Sequence, residues 1–95
     1  MVENSEKLER EVEVVNALGI HARPSHAIVT TAGRFQAEVR LGFEGRWADA
    51  RSILSVMTLG ASQGARIRLE ATGPEAGEAL EALAELFASG FREEA

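Results

Sequence analysis

The segment Gly19-Ile20-His21-Ala22-Arg23-Pro24 sets an imidazole and a guanidinium two residues apart, at the start of a run with helical spacing. Histidine is a poor helix N-cap, where Ser, Thr, Asp or Asn is preferred, so His21 at that place asks for a chemical reason. The first backbone amides of a helix lack intrahelical acceptors, and the helix dipole there favours negative charge. Together they make an anion site. Arg23 would add a planar fork of donors matched to phosphate. Imidazole is a nucleophile that is partly neutral near pH 7. Phosphoryl transfer needs mainly positioning and charge stabilisation, and these groups supply both. Pro24 fits only in the first turn of the helix, where its missing N–H costs nothing, so the helix is predicted to begin at Ala22. Taken alone, the same residues also fit a partly buried loop histidine beside a surface arginine.

Ser52 is a second candidate. It precedes a short apolar segment, where a hydroxyl serves as an N-cap and can also accept a phosphate. A helix N-terminus tolerates the roughly −2 charge that a phosphate brings. Ile53, Leu54 and Met57 follow at helical spacing and fit either core packing or a docking surface. Ser25 is small and adds a hydroxyl near the first candidate. His26 lies five residues after His21, on another helix face, so a two-histidine metal site is not expected and His26 reads as a surface residue. Trp47 reads as packing. No Gly-rich phosphate loop of the Walker type is present, so nucleotide hydrolysis is unsupported. The only aspartate, Asp49, is not tied to His21, and no Ser-His-Asp arrangement can be built.

The elements that must hold these groups are legible from periodicity. Residues 1–10 read as a poorly ordered lead-in. Glu11–Val15 alternates as a strand, and Asn16–Gly19 is a loop. The following helix can place Ala22, Ile28, Val29 and Ala32 on one face, with Gly33 ending it. Phe35, Ala37, Val39 and Leu41 alternate with Gln36, Glu38 and Arg40 in a second strand. A turn over Phe43–Arg46 leads to a short return strand at Trp47 and Ala48. Ser52–Leu59 is a short helix stopped by Gly60, and Ala65–Thr72 is a strand with Ile67 and Leu69 on one side. Gly73-Pro74 opens a last helix, with Pro74 in the first helical position and a stripe of Ala76, Ala79, Leu80, Leu83, Leu86 and Phe87, closed by Gly90. The order is β-α-β-β-α-β-α, an α+β sandwich with helices on one face of a sheet.

The chain has 95 residues, 45% of them apolar, which suits a single domain over residues 11–91 with a short tail at 92–95. It has no cysteine, so disulfides and thiolate metal sites are excluded. No apolar stretch approaches the ~18–20 residues that span a bilayer, and the polar start is neither a signal nor a transit peptide. The expected location is the cytoplasm, without membrane insertion. The net charge of −5 disfavours nucleic acid as a partner. Glu75, Glu78, Glu81 and Glu85 read as a solvated helix face.

The motif Gly19–Pro24 strongly resembles the active-site segment of HPr, the histidine-containing phosphocarrier family of the bacterial phosphoenolpyruvate-dependent phosphotransferase system. The segment from Arg51 to Leu80 resembles the family's second signature, with Ser52 before the short helix and Leu59-Gly60 after it. The resemblance spans residues 11–91 and implies a four-stranded antiparallel sheet, order 1-4-2-3, with three helices on one face. It implies that His21 takes a phosphoryl group on Nδ1 from phospho-enzyme I, that Arg23 stabilises it and Pro24 fixes the helix start. An enzyme IIA domain would be the acceptor. Ser52 matches a serine phosphorylated in many bacteria by HPr kinase/phosphorylase, and Ile53, Leu54 and Met57 lie around the family's docking surface. The chain would be a stoichiometric carrier and not an enzyme, a monomer by default, with no metal or organic cofactor. The stretch from Ala71 to Phe91 also resembles NPr, the nitrogen-branch relative that uses the same chemistry in regulation. A binding module with this fold but no phosphoryl traffic is a third reading, against which His21, Ala22, Arg23 and Pro24 stand together.

Overall fold

The computed structural model describes residues 7–92. The chain forms strand β1 (Leu8–Glu13), helix α1 (Ala22–Ala32), strands β2 (Glu38–Phe43) and β3 (Arg46–Asp49), helix α2 (Ile53–Met57), strand β4 (Arg66–Thr72) and helix α3 (Ala76–Ala88), then a 3₁₀ turn at Gly90–Arg92. The strands make one sheet of order β1-β4-β2-β3, and every pairing is antiparallel. The expected element order and sheet order both hold.

Register assigns the two faces of the sheet. Leu41 pairs with Leu69, and Val39 with Ala71. With Ala48 and Ile67 these side chains are buried, and they meet Ile28, Val56, Leu83 and Phe87 from the helices in one core. Each Val, Leu, Ile or Phe side chain taken out of water here contributes roughly 1.5–3 kcal/mol. The opposite face carries the alternate residues, including Glu11, Arg40, Trp47, Asp49, Arg66 and Arg68, all exposed. Helices therefore cover one face only, which follows from the period-2 alternation of each strand.

The hairpin between β2 and β3 turns on Glu44 and Gly45, both with positive φ (53° and 79°). That is the two-residue geometry whose twist suits a hairpin. Beside it, the Trp47 ring lies over Gly42, where an added Cβ would stand 2.7 Å from the ring. The Arg40 guanidinium lies 4.1 Å from the ring centroid. Trp47 thus packs, as expected, but on the open face. Arg40 also donates to Glu70 at 2.8 Å, and Lys7 approaches Glu70 at 3.5 Å. Burial opposes the Glu70 charge, but the hydrogen bond and charge of Arg40, with Lys7, hold its carboxyl below its ordinary range.

Several expectations need correction. Strand β1 begins at Leu8, within the stretch read as a lead-in over residues 1–10, because Leu8–Arg10 pair with Leu69–Ala71. Residues 1–6, and residues 93–95 of the expected tail, lie outside the described residues. Strand β2 is displaced towards the hairpin, and Phe35 sits in the turn after α1, its amide bonded to Ala32. Ala22 is exposed, and the buried face of α1 is Pro24, Ser25, Ile28, Thr31 and Ala32. Helix α3 begins at Ala76 and not at Pro74. Glu75 is drawn off helical geometry by a paired link to Gln36: its amide donates to the Gln36 carbonyl at 3.0 Å, and its carboxylate accepts the Gln36 amide at 2.7 Å. Helix α2 spans only Ile53–Met57. Arg46 terminates it by donating to the Thr58 and Leu59 carbonyls at 3.3 and 2.9 Å, a cation at the negative end of the dipole.

Candidate functional site

The loop Val14–Ile20 carries the chain from the sheet to α1 and is fixed at both ends. The Val14 amide donates to Ala65, and its carbonyl accepts from Gly64 at 2.8 Å. At the far end the Ile20 amide donates to the Ala61 carbonyl at 3.0 Å. Gly19 stands between them with φ of 72°, and a Cβ there would meet the Ala61 oxygen at 2.6 Å. Only glycine fits this approach in this conformation. The Asn16 side chain donates to the Gly19 carbonyl at 2.8 Å.

This scaffold delivers His21 to the N-cap of α1, in extended geometry (φ −98°, ψ −161°) and with no side-chain capping bond. His21 is half-buried, and Arg23 is exposed in the first turn of the helix. The orphan amides of the first turn can be counted. The His21 amide donates to Gly19, and the Ser25 amide makes the first helical bond to His21. Pro24 has none. Ala22 and Arg23 therefore supply the two amides without an intrahelical acceptor. No acidic side chain lies in that first turn. An imidazole at the N-cap, two backbone donors and the positive end of a helix dipole thus lie at one helix end, with exposed Arg23 in the same first turn, an arrangement that suits an anion. The structure sets Pro24 and Ser25 beneath this end, both buried. The Ser25 hydroxyl has no hydrogen-bond partner among the described residues. His26 is exposed on the helix surface.

Ser52 is the N-cap of α2. Its Oγ accepts the Ser55 amide at 3.1 Å, its amide donates to the Asp49 carbonyl at 3.0 Å, and the Ser55 hydroxyl accepts the Asp49 amide at 3.2 Å. Arg51 is clamped on Asp49 at 2.9 Å, and its hydrogen bonds, through side chain and then backbone, hold the Asp49 carboxyl below its ordinary range. Leu54 is 72% exposed and Met57 is 37% exposed, whereas Ile53 is half-buried. Helix α2 packs on α1, so these side chains share the helical layer with it. Leu18, 75% exposed one residue before Gly19, was not singled out in the sequence. An apolar residue within the short stretch Asn16–Gly19 is its only signal in the sequence.

The chain matches over residues 8–89 the family described as the PTS HPr component phosphorylation site. It is 44% identical over 87 residues to the phosphocarrier protein HPr of Xylella fastidiosa, covering 92% of this chain and 98% of that one. It is 42% identical over 88 residues to the phosphocarrier protein NPr of Escherichia coli, with 92% and 98% covered. The crystal structure of HPr from Thermoanaerobacter tengcongensis superposes with a TM-score of 0.87 at 38% identity, covering 93% of this chain and 99% of that chain. No helix among the described residues is long and apolar enough to cross a membrane. Sequence, fold and the helix-end histidine agree, and the chain belongs to the HPr family of bacterial phosphocarrier proteins.

Proposed function

We propose that this chain accepts a phosphoryl group on His21 Nδ1 from phospho-enzyme I and donates it to an enzyme IIA domain in sugar uptake. The observation that carries this reading is His21 at the N-cap of α1, followed by the two first-turn amides of Ala22 and Arg23 that lack an intrahelical acceptor. In the forward step the imidazole lone pair forms the new N–P bond as the P–N bond on enzyme I breaks, and the reverse sense delivers the group onward. The helix end and Arg23 meet the charge on the phosphoryl oxygens, and Pro24 holds the start of the helix. The chain leaves each cycle unchanged and acts as a stoichiometric carrier, with no cofactor of its own.

Ser52 is the proposed regulatory acceptor for HPr kinase/phosphorylase. A phosphate there would join a helix N-terminus beside the Arg51–Asp49 pair, so its main effect falls on docking through Leu54, Met57 and Ile53 and not on the fold. The NPr reading uses the same site, and the 42% identity to an NPr protein stands beside the 44% to an HPr protein. The source of phosphoryl groups separates the branches: sugar-branch and nitrogen-branch enzyme I would be compared as donors.

The deciding experiment is phosphoryl transfer from phosphoenolpyruvate through enzyme I to wild type and His21→Ala. An acid-labile, base-stable label on wild type that is absent from the variant is expected. No label on wild type with enzyme I of the same organism would sink the carrier reading, and retained partner affinity in His21→Ala would then favour a binding module.

A further inference from the structure

Asn16 is buried, with 8% of its surface exposed. It grips Gly19 twice: its side-chain Nδ2 donates to the Gly19 carbonyl at 2.8 Å, and its own carbonyl accepts the Gly19 amide at 3.2 Å. The Gly19 carbonyl takes a second bond, from the His21 amide, at 3.1 Å. Across the same peptide unit, the Ile20 amide is held by Ala61 at 3.0 Å. A peptide unit is a rigid plane, so holding its oxygen from one side and its N–H from the other fixes its orientation. Asn16 is itself seated against the C-terminal turn, since a Cβ on Gly90 would lie 3.7 Å from the Asn16 Cβ.

We propose that Asn16 is a positioning residue for phosphoryl transfer, acting on His21 through the Gly19–Ile20 peptide. The role rests on the reading of His21 given above and adds a residue outside the Gly19–Pro24 motif. Asn16 does not touch the reacting atoms. It keeps the Gly19 oxygen engaged, so that this partial negative charge, two residues before His21, does not turn towards an arriving anion. It also preserves the acceptor of the His21 amide, so the ring departs from a fixed backbone. Without Nδ2 that carbonyl keeps, among the described residues, the bent three-residue turn to His21, which is a weak restraint. Misplacement of a reacting group is costly even when it is small.

The test uses the whole chain as the substrate of enzyme I with phosphoenolpyruvate. Asn16→Ala removes the donor. Asn16→Asp keeps the size but sets an acceptor against the Gly19 carbonyl. Both variants are expected to take label with kcat reduced roughly tenfold, the worth of one hydrogen bond, and KM within about twofold of wild type. The Asp variant should be at least as impaired as the Ala variant. An unchanged kcat in folded Asn16→Ala, or a kcat restored in Asn16→Asp, overturns the role. Should neither variant fold, nitrogen-15 NMR of wild type decides. Asn16 side-chain amide protons that are protected from exchange, and stay so on phosphorylation, support the role; freely exchanging protons overturn it. A wild type that takes no label overturns the His21 reading and this role with it, whereas a labelled wild type beside an unimpaired Asn16→Ala overturns this role alone.

Discussion

Gly19→Ala is the sharpest test of how the site loop is built. At φ of 72° an alanine pays about 1–2 kcal/mol for the left-handed conformation. Its Cβ would also sit 2.6 Å from the Ala61 oxygen and 2.9 Å from the Ser62 Cα. Both are backbone atoms and cannot swing aside. Relief requires the loop to lift, which breaks the bond from the Ile20 amide to Ala61 and forfeits about 1 kcal/mol more. The expected loss is therefore about 2–3 kcal/mol, or on the order of 10–20 °C in Tm for a domain of this size. Gly60→Ala is the control: Gly60 has φ of 66° but open space around it, so it should pay only the conformational part. Urea unfolding of both variants, with phosphoryl transfer measured on the folded fraction, separates strain from close approach. Gly19→Ala should be the less stable of the two, and it alone should slow transfer. Equal losses in the two variants would refute the close approach as the reason for glycine at position 19.

Ser25→Ala removes a buried hydroxyl without a partner and should stabilise the chain, by about 1 kcal/mol in denaturant unfolding, with transfer retained. Ser52→Ala deletes the cap that holds the Ser55 amide and should cost about 1 kcal/mol, while Ser52→Asp, which can still accept that bond, should cost less. Glu70 has its carboxyl held below the ordinary range in the folded chain, so its charge stabilises the fold above the unfolded value of 4.5, and this is lost as pH falls through the lower folded value. The Tm gap between wild type and Glu70→Gln should accordingly be widest near neutrality and close on acidification; a gap independent of pH would contradict the pairing with Arg40 and Lys7. Leu54→Asp changes an exposed side chain and should leave Tm nearly unchanged while raising KM for enzyme I, and an unaltered KM would remove Leu54 from the docking surface.

Periodicity carried most of the fold because the strands are covered on one side only. Val39, Leu41, Ile67 and Leu69 announce their face by alternation, and the α3 stripe through Leu83 and Phe87 announces its own. Element ends were less legible, since they are set by distant partners. Pro74 looked like a helix start, but Gln36 holds Glu75 outside the helix. The early start of β1 depends on β4, far along the chain. At the site, His21, Arg23 and Pro24 stood out through residue type and spacing, as did Ser52 as a cap. Asn16 and Leu18 did not, because their meaning comes from a loop shape that only Ala61 and Gly90 impose. The burial of Ser25 is less legible: its phase places it with Ile28, but a hydroxyl gives no sign of a core position.

The sheet order β1-β4-β2-β3 has a consequence for how the protein is made. Strand β1 leaves the ribosome first, yet Leu8 has no strand neighbour until Ala71 has been synthesised. At typical elongation rates of about 5–20 residues per second, that is a wait of roughly 3–13 s. Through it the nascent β1 presents Glu9, Glu11 and Glu13 on alternate positions, a row of like charge that resists pairing with another unfinished copy. Completion is then abrupt, because the strand that captures β1 is the same one that docks on β2. The loop carrying His21 hangs directly from β1, so a half-made chain carries the motif but not the shape it requires.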